Sequence, residues 1–108
     1  MQLLNIDYIP GCEVEALGMV KGSVVFSKNF GKDFMAAVKT LVGGEIVDYT
    51  QMLNEARAIA VKRMVDEANG LGADAVINVR YASSSVMQGA AECIAYGTAV
   101  RIRSERAV

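Results

Sequence analysis

Arg57 is the charged residue whose position most suggests a site, because it falls among apolar residues of a predicted helix. At about 100° per residue it projects into the arc formed by Leu53, Ala60 and Met64. A buried guanidinium needs carboxylates or carbonyls around it. We therefore expect an acidic partner from the same or another subunit, and Glu92 is the partner that we select. The other candidates are Glu45, Asp48 and Asp74.

Three interpretations of Arg57 compete. The favoured one is a structural or interface ion pair, or an arginine that snorkels to the rim of the apolar face. An anion or small-ligand site centred on the guanidinium is the second. The third is that the helix has a different phase, so that Arg57 faces water.

Soft-metal ligands are few. The chain has two cysteines, Cys12 and Cys93, and no histidine. Because zinc and copper sites are usually built from closely spaced Cys and His, one chain does not supply a site. Copies of these thiols, or of methionines, could still meet around a symmetry axis, but the favoured interpretation is that Cys93 and the methionines fill the core. The methionines concerned are Met35, Met52 and Met64.

Other chemistries find weak support. Gly70-Leu71-Gly72 with Ala75 imitates a dinucleotide loop, but here a helix precedes and a strand follows, the reverse of the required order. Without histidine there is no serine or cysteine triad of the usual form. Glu13 and Glu15 share a strand face that is typically just solvated. We expect no enzymatic activity, and the sequence does not identify a cofactor.

The helix that carries Arg57 is well delimited. Thr50 suits an N-cap, and Gly70 and Gly72 can end the helix before a β-branched strand. The predicted apolar arc runs along one side of this helix. Its members are Leu53, Ala60, Val61, Met64, Val65, Ala68 and Leu71.

Strands precede and follow this helix. An edge strand or arm at Leu3–Ile9 ends at Pro10-Gly11, and a long strand at Glu13–Ser27 has apolar or glycine residues at every even position. Gly18 and Gly22 on that face predict a bend or a close helix. Further predicted elements are a short helix from Asn29 to a stop at Gly43-Gly44, a strand at Ala75–Ser83, a connection from Ser83 to Gly89, and a last strand at Ala91–Arg103.

The element order β, α, α, β, β predicts a two-layer α+β domain spanning residues 1–108, with a mainly antiparallel sheet packed on the long helix. A small side on the last strand, formed by Cys93, Ala95, Gly97 and Ala99, predicts very close helix packing. Apolar residues make up 53% of the chain but aromatics only 6%. This excess of small and aliphatic residues predicts a homo-oligomer, and so do the two edges of the sheet, which another subunit could cover.

Charge and the N-terminal residues exclude several partners. The net charge is −1, with no basic stripe for phosphate backbones, so nucleic acid is not expected. No run of about 18 apolar residues is present, and the first ten residues lack a basic region. We expect a cytoplasmic protein that binds neither nucleic acid nor membrane.

Six ordered segments resemble the YbjQ-like proteins, an uncharacterised bacterial and archaeal family labelled for heavy-metal binding. The segments are LGMVKG at 17–22, KDFMA at 32–36, LVGGE at 41–45, DYTQMLNEAR at 48–57, LGADAV at 71–76 and AYGTAV at 95–100. The resemblance implies a fold similar to dodecin subunits and assembly into a five-fold ring, and it implies no demonstrated activity. By analogy, subunit interfaces would be the place for a small molecule or ion.

Overall fold

The computed structural model describes residues 1–27, 49–88 and 90–105. The elements are β1 (Gln2–Leu3), β2 (Cys12–Ser27), α1 (Tyr49–Gly70), β3 (Ala75–Met87) and β4 (Ala90–Glu105). The sheet has the order β1-β3-β4-β2, and α1 packs on one of its faces. β1 pairs parallel with β3, whereas the other two pairings are antiparallel. The predicted α+β fold, a mainly antiparallel sheet on a long helix, is confirmed. The predicted helix from Asn29 and its Gly43-Gly44 stop lie outside the described residues.

The interface between α1 and the sheet combines alanines with Met64 and valines of the sheet. On α1 the buried residues recur every four positions, and on β4 the small side predicted from the sequence faces them. Close approach is greatest at Gly22 of β2, where an added Cβ would stand 2.7 Å from the Cβ of Arg63 and closer still to backbone atoms of Ala60 and Met64. The predicted close approach of a helix at Gly22 is therefore confirmed. The buried α1 residues are Met52, Ala56, Ala60, Met64 and Ala68.

The apolar arc predicted for α1 is confirmed at Ala60, Met64 and Ala68, which are fully buried, but its margins differ from the prediction. Leu53 is only half-buried, and Leu71 is exposed because it lies beyond the end of the helix. The helical arc drawn from the sequence was centred on the large residues. Ala56, which the predicted arc omits, is buried instead, because Gly22 lets the two backbones come so close that alanines fit between them.

The C-terminus of α1 is a glycine cap. Gly72 has φ +76°, its N–H donates to the Asn69 carbonyl at 3.0 Å, and the Ala73 N–H donates to the Ala68 carbonyl at 3.1 Å. These two bonds form a Schellman motif, which satisfies carbonyls that the helix leaves unpaired. The prediction that Gly70-Leu71-Gly72 is a helix stop is confirmed.

Two β-bulges divide the sheet into a covered half and an exposed half. On β2 the register shifts between Ala16 and Gly18, and Gly18 has φ +136°. On β3 the register shifts between Ile77 and Arg80, so Asn78 and Val79 oppose a single residue of β4. Each bulge reverses the alternation of side chains along its strand. Gly18 therefore marks the predicted bend, whereas Gly22 marks the close helix.

The hairpin between β3 and β4 is longer than predicted. Ser83–Ser85 belong to β3 rather than to the connection, and Met87 still pairs with Ala90. Every β3 residue from Arg80 to Met87 is exposed. The strands continue because β4 offers pairing partners along the whole length, even where no described helix covers them.

The face of the sheet opposite α1 has no layer of described residues packed on it from Met19 onward along β2. Cys93 and Ala95 point to α1, so alternation turns Glu92, Ile94 and Tyr96 to the other side. We call this side the open face. Strand pairing adds its remaining members, which are Met19, Lys21, Ser23, Val25, Arg80, Ala82, Ser84 and Thr98.

The N-terminal residues cover the other end of the same side. β1 is an edge strand, as predicted, although it is shorter than the predicted Leu3–Ile9. Ile9 is buried in a second cluster with Ala75, Ile77 and Val100, and the Cys12 N–H closes the predicted turn by donating to the Ile9 carbonyl at 3.0 Å.

Gly22→Ala should destabilise the protein strongly, because the new Cβ meets helix backbone that cannot rotate away. We expect a loss of about 3 kcal/mol or more in the free energy of unfolding, at or above the upper end of typical overpacking costs. Gly70→Ala is the control, since a Cβ there meets nothing within 4 Å. Urea unfolding followed by circular dichroism measures both. Equal stability of the two variants would contradict the close contact.

Candidate functional site

A depression on the open face gathers polar and apolar side chains at the β3 bulge. Its volume is about 390 Å³, and it opens widely to solvent. Arg80 and Asn78 contribute from β3, whereas Tyr96 and Thr98 contribute from β4. Met19 of β2 and Gly97 complete its wall.

The bulge determines where these groups stand. Asn78 has φ +54°, a left-handed conformation that asparagine tolerates better than most residues. Its N–H donates to the Ile6 carbonyl at 2.9 Å, and the Val79 N–H donates to the Leu4 carbonyl at 2.9 Å. Two successive N–H groups are thus bound to the N-terminal arm, which holds the bulge in place.

Gly97 is required beside the bulge. An added Cβ would lie 2.7 Å from Val76 Cγ1 and 2.8 Å from the Ile77 carbonyl oxygen. The absence of a side chain there lets β3 approach β4 closely at the bulge, and Gly97 itself lines the depression.

Arg80 joins the depression to the N-terminal arm. Its Nη1 donates to the Asn5 carbonyl at 2.9 Å and to the Val79 carbonyl at 3.3 Å. Within the described parts of the chain, Nε and Nη2 have no hydrogen-bond partner. The depression therefore offers hydrogen-bond donors from these two nitrogens, from the Asn78 amide and from the Thr98 hydroxyl. Its apolar surface comes from the Tyr96 ring and Met19. This combination suits a small molecule that carries an anionic and an apolar part.

The structure does not bring Arg57 and Glu92 together within one chain. Arg57 is exposed on α1, and its Nη1 donates to Asn54 Oδ1 at 3.1 Å. Glu92 belongs to the open face, on the other side of the sheet from α1. The expectation that Arg57 projects into the buried side of its helix is wrong, because the helix presents Ala56 and Ala60 to the sheet instead. A pair between Arg57 and Glu92 of two different copies stays a prediction.

Another acidic candidate for Arg57 is engaged elsewhere. Asp74 accepts a hydrogen bond from the Ile102 backbone N–H at 2.8 Å, which fixes the start of β3 against β4. Glu45 and Asp48 lie outside the described residues.

The cysteines occupy opposite ends of the sheet. Cys12 begins β2 opposite Glu105, whereas Cys93 pairs with Val24 near the other end of the same strand. These two positions lie twelve residue steps apart along the strand, about 40 Å at the usual rise. They cannot bind one metal ion within a chain. Among the described residues no group of three or more Cys, Asp or Glu side chains could hold a metal ion.

The predicted soft-metal ligands in the core are inaccessible. Cys93 and Met64 are fully buried, and Met52 is nearly so. Their burial agrees with the interpretation that they fill gaps against the sheet. Met35 lies outside the described residues, and Cys12 is half-buried.

The acidic pair predicted on β2 does not form an isolated carboxylate pair. Glu15 Oε2 binds Arg103 Nε at 2.8 Å across the strands, so its charge is compensated. Glu13 is exposed and pairs in register with Ser104.

Sequence reasoning missed the depression because it depends on the bulge. Strict alternation cannot place Asn78 and Arg80 beside their neighbours on β4, because the register shifts between Ile77 and Arg80. One signal was present in Gly97, since a glycine within a strand indicates either a bulge or a close backbone contact. Gly97 also belongs to the small side of β4, for which the sequence predicts close helix packing.

Comparison with known proteins identifies relatives along nearly the whole chain. A family model described as "Putative heavy-metal-binding" matches residues 1–103. A UPF0145 protein of Clostridium novyi is 63% identical over 102 residues, covering 94% of this chain and 99% of the relative. Another from Thermus thermophilus is 57% identical over 105 residues, covering 96% of this chain and 92% of the relative. These names state no enzymatic activity.

A solved structure shows the same fold. A protein of unknown function from Pediococcus pentosaceus, assigned to the DUF74 family, superposes with a TM-score of 0.67 at 14% identity. The match covers 94% of this chain and 97% of the other. No helix within the described ranges is long and apolar enough to cross a membrane. The family match and the close relatives confirm the resemblance seen in the sequence, and the chain belongs to the YbjQ-like family of UPF0145 proteins.

Proposed function

We propose that the protein assembles with copies of itself into a ring, pentameric as the resemblance implies, and binds a small molecule at the interfaces between copies. The observation that carries the proposal is the open face. Met19 is 76% exposed, Val25 is 54% exposed and Tyr96 is 37% exposed on this one side of the sheet. A sheet with apolar residues on both faces normally buries both.

Isolated apolar residues on a surface need no explanation, whereas a continuous group does. Met19 pairs with Thr98 and lies beside Tyr96, whose cross-strand partner on β3 is Arg80. Val25 and Ile94 extend the same side along β2 and β4. A neighbouring copy that covers this side would bury these residues and remove water from the depression.

Closure by a neighbour also gives the depression a function. As it stands, it is too open to hold a ligand by burial. Covered by a second subunit, the donors of Arg80, Asn78 and Thr98 would face a less polar space, where hydrogen bonds to an anion are stronger. The ligand class that fits is a small organic anion with an apolar portion.

We propose a binding rather than a catalytic function. The chain has no histidine, and the donors around the depression are an amide, hydroxyls and a guanidinium. None of these is a base near neutral pH.

Metal binding, which the family description suggests, is the second candidate. It depends on Cys12, the cysteine that is only half-buried, and on copies of that thiol meeting around an axis. Native mass spectrometry with added cadmium distinguishes the candidates. A bound metal that is lost in Cys12→Ser would favour this function, whereas a retained organic anion in metal-free protein favours the first.

Met19→Glu should dissociate the assembly, because it places a charge in the middle of the covered surface. We expect native mass spectrometry to show monomers with unchanged circular dichroism. Leu71→Glu is the control, since Leu71 is 45% exposed on the opposite layer of the molecule, beyond the end of α1. Wild-type protein that is monomeric at all concentrations would refute the proposal.

Arg57→Ala separates an interface role from a local one. Among the described residues of one chain, Arg57 bonds only Asn54, so the free energy of unfolding of the subunit should change by about 0.5 kcal/mol or less. If Arg57 and Glu92 join two copies, the variant should lose the assembly, and Arg57→Glu combined with Glu92→Arg should restore it. Lys62→Ala, which removes the exposed pair with Asp66 from the same helix, is the control. An intact assembly in Arg57→Ala would exclude the interface pair.

A further inference from the structure

Beyond its bulge, β3 has an outer edge that no other described residue covers. β1 pairs only with Ala75 and Val76, and the N-terminal arm makes its last backbone bond to Val79. β4 occupies the inner edge as far as Met87. Half of the backbone N–H and C=O groups of Tyr81–Met87 therefore point outward, able to pair with another strand.

The opposite edge of the sheet is protected. On β2, Arg63 reaches from α1 and its Nη1 donates to the Ser23 carbonyl at 2.6 Å, which occupies an acceptor of the edge. Charged side chains also line β2, at Glu13, Glu15 and Lys21. Such devices prevent uncontrolled strand addition.

As far as the structure describes the chain, the β3 edge has none of these devices. Its sequence, Tyr81-Ala-Ser-Ser-Ser-Val-Met87, contains neither charge nor proline. Its large apolar side chains are exposed, Tyr81 to 55% and Met87 to 67%. An unprotected edge of this length is stable in solution when a defined partner covers it.

The residue pattern identifies that partner as a second copy of this chain. If two β3 edges run antiparallel with Ser84 opposite Ser84 of the partner, then Ser83 lies opposite the partner's Ser85 and Ala82 opposite the partner's Val86. Every pair is uncharged, matched in polarity and small enough to approach closely. Contacts of this kind, in which one surface pairs with its own copy, are typical of two-fold axes.

We propose that two copies pair along Ala82–Val86 across a two-fold axis at Ser84, extending the sheet from one subunit into the next. The register shift between Ser85 and Met87 makes Val86 the extra residue of a bulge, so regular pairing ends there. Tyr81 and Met87 then flank the paired segment at each end. The inference rests on the proposed self-assembly and deepens it: a two-fold contact joins two rings, so the number of copies is even.

Charge substitutions at Ser83 and Ser85 test the register. Ser83→Glu with Ser85→Glu brings like charges opposite each other across the axis, and so does Ser83→Lys with Ser85→Lys. Both side chains are exposed in the single chain, so each subunit should keep its circular dichroism spectrum. We expect native mass spectrometry to show half of the wild-type mass for each variant. Mixing the two variants should restore the full mass, with Glu chains and Lys chains in equal number.

A second measurement does not depend on dissociation. Ser84→Cys places two thiols opposite each other at the axis, where neighbouring antiparallel Cα atoms are about 4.5–5.5 Å apart and a disulfide can form. Oxidation should link the two introduced thiols in a disulfide between copies, detected by peptide mapping, whereas Ala82→Cys alone should give no such link. Failure of Ser84→Cys to link in an assembled protein would overturn the inference.

The outcomes separate this inference from the proposed function. A wild-type assembly with an odd number of copies, or one whose mass persists in both charged variants, overturns the two-fold contact and leaves self-assembly intact. A wild-type monomer overturns both. Halving of the mass in each charged variant and its recovery on mixing support the two-fold contact.

Discussion

The contact between the backbone of α1 and Gly22 of β2 is the constraint on which the rest of the packing depends. Two backbones this close leave little space for side chains beside the contact, and half of the buried residues in the cluster under α1 are alanines, accompanied by Cys93, Met64 and valines of the sheet. Small side chains bury little apolar area each, and hydrophobic stabilisation scales with area at about 25 cal/mol per Å². The layer under α1 is therefore dense but thin. Larger apolar residues such as Met19, Val25 and Tyr96 lie on the other side of the sheet, where the described part of one chain supplies no cover for them.

The β3 bulge connects this distribution to the candidate site. Before the bulge, both sides of β3 are buried, Val76 under α1 and Ile77 under the N-terminal residues. After it, the strand leaves both layers and becomes exposed from Arg80 onward. Asn78, Arg80 and Gly97 gather at the transition, because the extra residue that redirects the strand also opens space on the open face. The depression is thus a consequence of how the sheet changes from a covered to an uncovered structure.

Features that depend on local chemistry were predictable from the sequence. The glycine cap of α1, the turn at Pro10-Gly11 and the small side of β4 all follow from residue types at fixed spacing. The centre of the buried side of α1 was predictable but its margins were not, because hydrophobic periodicity gives weight to Leu53, whereas Ala56 lies against the sheet. The predicted burial of Arg57 was wrong for the same reason. Nor does strict alternation locate a bulge, so the grouping of Asn78 with Tyr96 required the strand register.

The two edges of the sheet differ in a way that bears on assembly. Arg63 reaches from α1 to the Ser23 carbonyl, so the helix that forms the core also protects β2. In the described residues, no side chain of α1 protects β3 beyond Arg80, because this part of β3 projects past the covered half of the sheet. When one edge of a sheet is protected and the other is uncharged, a strand of another molecule can add at the uncharged edge only. Strand addition is therefore limited to one place and one direction. Selective protection of this kind favours a finite assembly over an open-ended one, since a two-fold contact consumes the unprotected edges of both partners.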